Sequence, residues 1–346
     1  MCSGLVAPWR SSTRRQYSGK TYQTKGAVWN EWVEAMEKPR NLWTIILSGG
    51  NGERLRSFVR KLFGREKPKQ YCAFVGTRTM FQHTLDRASL LRPPERRVIL
   101  VAKSHVERGW VGRTHLPEAK LIAQPSCRDT GPGVFLPLTY VRRQDPDANV
   151  VILPSDHYVY PESLFIQAIR NAVEATEALP NHLVLLGAFP EKPDPDLGWI
   201  ELGESLYLPC DSLVFGVSRF VEKPGIEEAE RVMKSGGLLN TLVIVSKLNA
   251  MWTLGRYHFP ETLALLEHAA NAFDTDAEDA ALQRIYQGMP SWNFSADFLS
   301  RSAANLAVME LSGVLWSDWG KVERILDTLH RAGKPPPFSV SNEAVV

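Results

Sequence analysis

The strongest constraint on this chain is an apolar run that stops abruptly on glycines. Leu42–Leu47 (L-W-T-I-I-L) passes directly into Ser48-Gly49-Gly50-Asn51-Gly52. A continuous apolar run of this length reads as a strand covered on both faces. Glycines placed straight after it let the backbone approach an anion closely and aim N–H groups at it. The same texture recurs downstream. Thr79–Leu91 reads as a helix with Met80, Phe81, Thr84, Leu85 and Ala88 on one stripe, and Arg97–Ala102 and Asn149–Pro154 read as buried strands. Pro161 opens a second helix bearing Leu164, Phe165, Ala168, Ile169, Ala172 and Val173, and His182–Phe189 is a further strand. Strand and helix alternating in this way predict a Rossmann-like α/β/α sandwich, three layers around a mainly parallel sheet, with ligands bound beyond the carboxyl ends of its strands.

From Ser212 the texture changes. Leu213–Val221 and Leu238–Val245 are strand-like and flank a helix, Glu227–Lys234; Asn249–Gly288 is mostly helical, and Lys321–Arg331 closes the fold. We expect residues 1–40 to form a poorly ordered basic extension, 41–332 a single elaborated α/β domain, and 333–346 a flexible tail with three prolines.

Composition narrows the function. Hydrophobic content of 44% and charged content of 23% exclude a disordered or fibrous chain. No run approaches the roughly 18 apolar residues of a membrane-spanning helix. Four cysteines (Cys2, Cys72, Cys127, Cys210), far apart and outside any Cys/His cluster, exclude a disulfide framework and a structural zinc site, and predict a reduced, cytoplasmic protein. The net charge of +2 conceals five cations and no acid in residues 1–30, leaving 35 Lys and Arg against 38 Asp and Glu elsewhere. That slightly acidic body argues against a nucleic-acid partner. The basic leader imitates a transit peptide but lacks the apolar region of a secretory signal.

The glycine turn is neither a dinucleotide fingerprint, since Leu55 stands where the third glycine belongs, nor a P-loop, since no G-K-[ST] follows. Its continuation is strongly basic. Arg54, Arg56, Arg60, Lys61, Arg65, Lys67 and Lys69 face one acid, Glu66, and the run ends in Lys67-Pro68-Lys69-Gln70. A glycine turn leading into a basic loop suits a polyphosphate.

G-G-x-G-x-R-L followed by P-K-Q resembles the signature of the sugar-1-phosphate nucleotidyltransferases, and P-K-Q points to their mannose-1-phosphate guanylyltransferase branch. Further segments fall in that family's order: Gln124-Pro125-Ser126-Cys127-Arg128-Asp129-Thr130, Leu153-Pro154-Ser155-Asp156-His157, Leu197-Gly198-Trp199-Ile200, Phe220-Val221-Glu222-Lys223-Pro224, Leu239-Asn240-Thr241-Leu242 and Trp316-Ser317-Asp318-Trp319-Gly320. The resemblance implies the nucleotide-diphospho-sugar transferase fold across 41–332. It also implies attack by a hexose 1-phosphate, mannose 1-phosphate first, on the α-phosphorus of an NTP, GTP first. By the same resemblance Ser48, Gly49, Gly50, Gly52, Gln124, Arg128 and Thr130 would hold the nucleotide, and Arg54, Lys69 and Lys223 would act on the phosphates. Gly198, Glu222, Lys223 and Asn240 would hold the sugar phosphate, and Asp156 and Asp318 would bind Mg²⁺. Both carboxylates also suit plain turn or helix capping. Trp199 is a candidate sugar-stacking ring, and His157 is expected to be structural.

The chain departs from the family pattern at four places. Glu53 adds a negative group beside the phosphates, Gln124 stands where the guanylyltransferases usually have Glu, Leu239, Thr241 and Leu242 erode W-N-S-G, and the Leu55–Pro68 loop is long. A glycosyltransferase of the same fold, with its D-x-D at Asp194-Pro195-Asp196, and a homologue without turnover remain the rival readings. Homo-oligomerisation is left open.

Overall fold

The computed structural model describes residues 41–112, 118–206 and 213–334. They belong to one unit, Lys38–Val346. The expected extension at 1–40 and most of the tail at 333–346 lie outside the described residues. Eleven strands are present among those described: β1 (Leu42–Ser48), β2 (Arg97–Ala102), β3 (Lys120–Gln124), β4 (Asn149–Pro154), β5 (Tyr158–Tyr160), β6 (Leu183–Ala188), β7 (Gly198–Leu206), β8 (Val214–Glu222), β9 (Leu238–Lys247), β10 (Leu306–Glu310) and β11 (Leu315–Ser317).

Nine of them form one sheet in the order β3-β2-β1-β4-β9-β6-β10-β8-β7, with β7 also pairing β9. The expectation of a mainly parallel sheet is corrected by this topology. β3, β2, β1 and β4 are parallel, as are β6 and β10. But β9 enters antiparallel between β4 and β6, and β8 and β7 follow antiparallel. Because β7 returns to β9 through Trp199↔Leu239 and Ile200↔Leu238, this second half curls towards a barrel.

Alternate residues of the buried strands feed two cores, one on each face. Ile45, Val150 and Ile152 pack with the helix Thr130–Gln144 through Val134, Phe135 and Leu138. Ile46, Val151 and Leu153 pack with the helices Met80–Ser89 and Glu162–Ala178 through Phe81, Leu85, Phe165 and Ile169. The Met80–Ser89 helix is fixed at its start by a capping box: the Thr79 hydroxyl accepts from Gln82 N, and Thr79 N donates to the Gln82 side chain.

The basic loop expected at Leu55–Pro68 is a second correction. Residues Arg56–Phe63 form an α-helix. Leu55, Phe58, Val59 and Leu62 recur at helical spacing and pack on Phe74, Trp319 and Ile325, so burial of this stripe outweighs repulsion among cations on the opposite face. Arg56 and Arg60 pair there with Glu66, and Lys67 lies over the Phe63 ring. Three of the seven cations are thus engaged locally, whereas Lys69 reaches Asp156 beyond the end of β4.

A separate two-stranded ladder, β5 with β11, has the register Tyr158↔Ser317. It sets the Asp156 turn, which follows β4, beside Asp318, which follows β11. No helix among the described residues is long and apolar enough to cross a membrane.

Candidate active site

The glycine turn sits at the carboxyl end of β1 and is held from behind by a buried polar network. Gln70 Nε2 donates to the carbonyls of Ser48 at 3.2 Å and Gly50 at 2.7 Å. Ser48 Oγ donates to Tyr71 Oη, His105 Nδ1 lies 3.2 Å from the same hydroxyl, and His105 Nε2 lies 3.3 Å from Asn51 Oδ1. Burial pushes the Tyr71 phenol up to about 12 and the His105 imidazole down, so both are neutral at ordinary pH. Ser48, a candidate nucleotide contact, is buried and gives its hydroxyl to this network.

Space decides the glycines. A Cβ at Gly49 would fall 2.7 Å from Gln124 Nε2, which places the Gln124 side chain, at the end of β3, directly against the turn. Gly52 has φ +63°, and a Cβ there would lie 3.0 Å from the Lys69 backbone nitrogen. Gly50 has open space around it.

Lys69 is buried, and its ammonium is ringed by oxygen: Asp156 Oδ2 at 3.0 Å, the Asp318 carbonyl at 2.5 Å and the Trp319 carbonyl at 3.4 Å. Burial alone would raise the Asp156 carboxyl, but Lys69 and then His157 bring it below its ordinary value. For Asp318 the burial effect is likewise overcome, here by Lys69 and Arg324. The Asp318 charge in turn raises the Asp156 carboxyl, so the two are neighbours. Arg324 Nη1 lies 2.5 Å from Asp318 Oδ1, which also accepts from Gly320 N at 3.1 Å. His157 is kept neutral by burial, and its Nδ1 accepts from Trp316 Nε1. Its Nε2 lies 3.6 Å from Asp156 Oδ1.

A second cluster forms where β7, β8 and β9 meet. The register Gly198↔Glu222 sets these residues side by side, and a Cβ at Gly198 would lie 2.7 Å from Glu222 Oε2 and 3.3 Å from Asn240 Cβ. Lys223, half exposed with φ +48°, pairs with Glu222 at 3.3 Å. Burial raises the Glu222 carboxyl, against Lys223 and Arg54, whereas Asp129 adds to the rise. Exposed Arg54 and Asp129 therefore lie within electrostatic reach of this cluster. Asn240 Oδ1 accepts from Leu242 N. Asp129, Lys223, Leu242 and Trp319 hold positive φ without being glycine, as does Asp274 away from these clusters.

Three sequence candidates are used differently. Trp199 is completely buried and donates to the Asp194 carbonyl, which corrects its reading as a stacking surface. The Arg128 guanidinium donates twice to the Tyr286 carbonyl, and Thr130 Oγ1 accepts from Phe294 N, so both brace the start of the Thr130–Gln144 helix. Asp194 and Asp196, the D-x-D of the rival reading, pair with Arg324 and Lys321. Glu53 is largely exposed and lies 3.6 Å from Arg56. Arg324 and His105 were not read from the sequence: each acts on partners far away in the chain, and no local motif marks them.

The strand ends of this α/β fold thus bring together a glycine turn, a caged lysine and two carboxylates. A family model described as Nucleotidyl transferase matches residues 43–333, and the chain belongs to that family. Curated relatives include the mannose-1-phosphate guanylyltransferase of Escherichia coli (strain K12), 27% identical over 285 residues that make up 81% of this chain and 58% of the relative. The alginate biosynthesis protein AlgA of Pseudomonas fluorescens is 29% identical over 236 residues, 67% of this chain and 44% of AlgA. The chain thus spans less than two thirds of the curated relatives it matches. Among solved structures, a mannose-1-phosphate geranyltransferase from Thermus thermophilus superposes with TM-score 0.71 at 24% identity, covering 86% of this chain and 81% of that one. This likeness establishes the nucleotidyltransferase fold.

Proposed function

We propose that the chain transfers a nucleotidyl group from an NTP, GTP in the first instance, to a hexose 1-phosphate, mannose 1-phosphate in the first instance. The observation that carries this reading is the caged lysine between Asp156 and Asp318, next to the glycine turn and separate from a second cation–carboxylate cluster at Glu222 and Lys223. Two polyanionic reactants need two such places. The name of the Escherichia coli relative, mannose-1-phosphate guanylyltransferase, supports the choice of sugar and base.

A phosphate oxygen of the sugar phosphate attacks the α-phosphorus. The bond between that phosphorus and the α–β bridging oxygen breaks, and pyrophosphate leaves. The protein's work is to neutralise and align. The Gly49–Gly52 turn cradles the triphosphate, Gln124 against it reads the base, and Arg54 and Lys69 answer the charge that moves toward pyrophosphate. Lys223 holds the sugar phosphate, and Glu222 and Asn240 accept and donate to sugar hydroxyls.

Among the described residues no group of three or more His, Cys, Asp or Glu side chains forms a metal cage. Mg²⁺ does not require one, because it keeps several waters and binds through one or two carboxylates plus substrate phosphates. Asp156 and Asp318 fit that demand. Arg324 and Gly320 N both engage Oδ1 of Asp318, so Oδ2 lies outside those bonds. Asp156 and Asp318 would hold Mg²⁺, which supplies charge neutralisation on the phosphates. We further read 41–332 as the catalytic domain, the slightly acidic body as unsuited to nucleic acid, and the cytoplasm as the compartment.

Pyrophosphate release measured with four NTPs against several hexose 1-phosphates tests the proposal. One pair should dominate, and Asp156→Asn or Asp318→Asn should each lower its rate about 10³-fold. No release from any pair, or wild-type turnover in both variants at limiting Mg²⁺, would overturn it.

A further inference from the structure

The two carboxylates assigned to the metal are already neutralised by the protein, and by cations of different mobility. Arg324 cannot leave. It lies in the first turn of the last helix (Val322–Arg331), is nearly buried, and contacts Asp318 at 2.5 Å, Asp194 at 2.8 Å and Asp196 at 3.3 Å. The chain is shaped around it: a Cβ at Gly320 would fall 2.5 Å from Asp318 Oδ2 and 3.2 Å from Arg324 Nη1. Asp196 is also paired with Lys321.

Lys69 differs in kind. Its ammonium makes one ion pair, to Asp156, and its other two acceptors are neutral backbone carbonyls of Asp318 and Trp319. Three oxygens around one cation resemble the shell of a bound metal ion. A second, divalent cation held by Asp156 and Asp318 would share that shell with the ammonium, and like charges at such separation repel strongly. The lysine stem, by contrast, is a flexible four-carbon tether.

Resting on the proposed function, we infer that Lys69 is the resident cation of the metal position in the nucleotide-free protein, and that it exchanges Asp156 for a phosphate oxygen when the metal arrives on the NTP. Arg324 is the fixed positioning residue that keeps Asp318 in place through the exchange. The empty site therefore rejects free divalent ions and accepts them with a polyphosphate, whose charge takes over the ammonium. No covalent bond changes; one ion pair is traded for another.

The test is Mn²⁺ binding to the nucleotide-free protein, read by electron paramagnetic resonance of the free ion, and NTP binding in EDTA, read by calorimetry. Lys69→Met should bind Mn²⁺ roughly tenfold or more tightly than wild type, the equilibrium worth of about one charge-assisted hydrogen bond, and should bind metal-free NTP more weakly by a similar factor. A purely structural role for Lys69 would weaken both. Arg324→Gln, which releases Asp318 from its fixed position, should not raise Mn²⁺ affinity, and adding Asp156→Asn to Lys69→Met should abolish the gain. If folded Lys69→Met, or Lys69→Gln should the first not fold, binds Mn²⁺ no better than wild type, the inference is overturned. It is equally overturned if wild type takes up Mn²⁺ as tightly as Lys69→Met. Neither readout needs turnover, so failure of the proposed reaction would register separately, in the pyrophosphate assay.

Discussion

Alanine at Gly52 gives the sharpest test of how the glycine turn works. The residue has φ +63°, and its added Cβ would stand 3.0 Å from Lys69 N and 3.5 Å from Pro68 Cα, both backbone atoms with little freedom to retreat. Left-handed backbone costs a non-glycine residue about 1 kcal/mol, and the contact brings the total to about 1–2 kcal/mol. For a domain of this size each kcal/mol lowers Tm by about 2–4 °C, so scanning calorimetry should find a drop of about 2–8 °C. Relief of the contact displaces Lys69 by a few tenths of an ångström, and kcat should fall by about tenfold or more. Two controls separate space from chemistry. Gly50→Ala meets nothing within 4 Å and has ordinary φ, so its Tm should stay within about 1 °C of wild type. Gly49→Ala presses only on the flexible end of Gln124, so it should spare Tm and raise the KM for NTP. A Gly52→Ala protein with wild-type Tm and kcat would refute the reasoning.

The two phosphate places should separate kinetically. Lys223→Ala should raise the KM for the sugar phosphate about 10- to 150-fold with a much smaller effect on the NTP, and equal effects in steady-state kinetics would reject that assignment. Gln124→Ala should flatten discrimination among NTPs, because a carboxamide offers one donor and one acceptor group to the base; unchanged preference would place base reading elsewhere. Stability should depend on pH through Asp156 and Asp318. Their folded carboxyls titrate below the unfolded value near 3.9, so the unfolded chain binds more protons below about pH 5. The contribution is present above that range and is lost as pH falls through the depressed folded values. Glu222, raised by burial, works in the opposite sense. Urea unfolding between pH 6 and 3 should therefore show a fall that Lys69→Met makes shallower.

Much of the scaffold could be read directly. β2 and β4 have the expected bounds, β1 differs by a residue at one end and β6 by a residue at each, because a strand buried on both faces is an uninterrupted apolar run. The same property hid the direction of β9. It is central and covered on both sides like its parallel neighbours, and an apolar run carries no sign for parallel or antiparallel. β3, with three of five residues only partly buried, and the three-residue β5 and β11 lacked a run long enough to register. At Arg56–Phe63 the density of cations masked an apolar stripe that was present throughout. For the site, the motifs located Lys69, Asp156, Asp318, Glu222 and Lys223 one by one. What they could not convey was pairing: that the Gln of P-K-Q grips Ser48 and Gly50, or that Arg324 reaches Asp194 across 130 residues. Such bonds depend on where strands end in space, and no local pattern encodes that.

The small β5–β11 ladder has a consequence for the order in which the protein becomes competent. It joins His157 to Trp316 across 159 residues of chain. Contacts of that separation form late, because a long loop must close before they return any free energy. A chain emerging from the ribosome folds from its N-terminal end. The glycine turn and Asp156 are therefore synthesised well before Asp318 and the final helix exist. A nascent or truncated chain ending before Leu315 would possess the glycine turn and Asp156 yet lack Asp318, the two carbonyls that cage Lys69 and the ladder that aligns them. Under the proposed function, a chain cut before Leu315 would therefore lack nucleotidyl transfer even though its glycine turn and Asp156 are present.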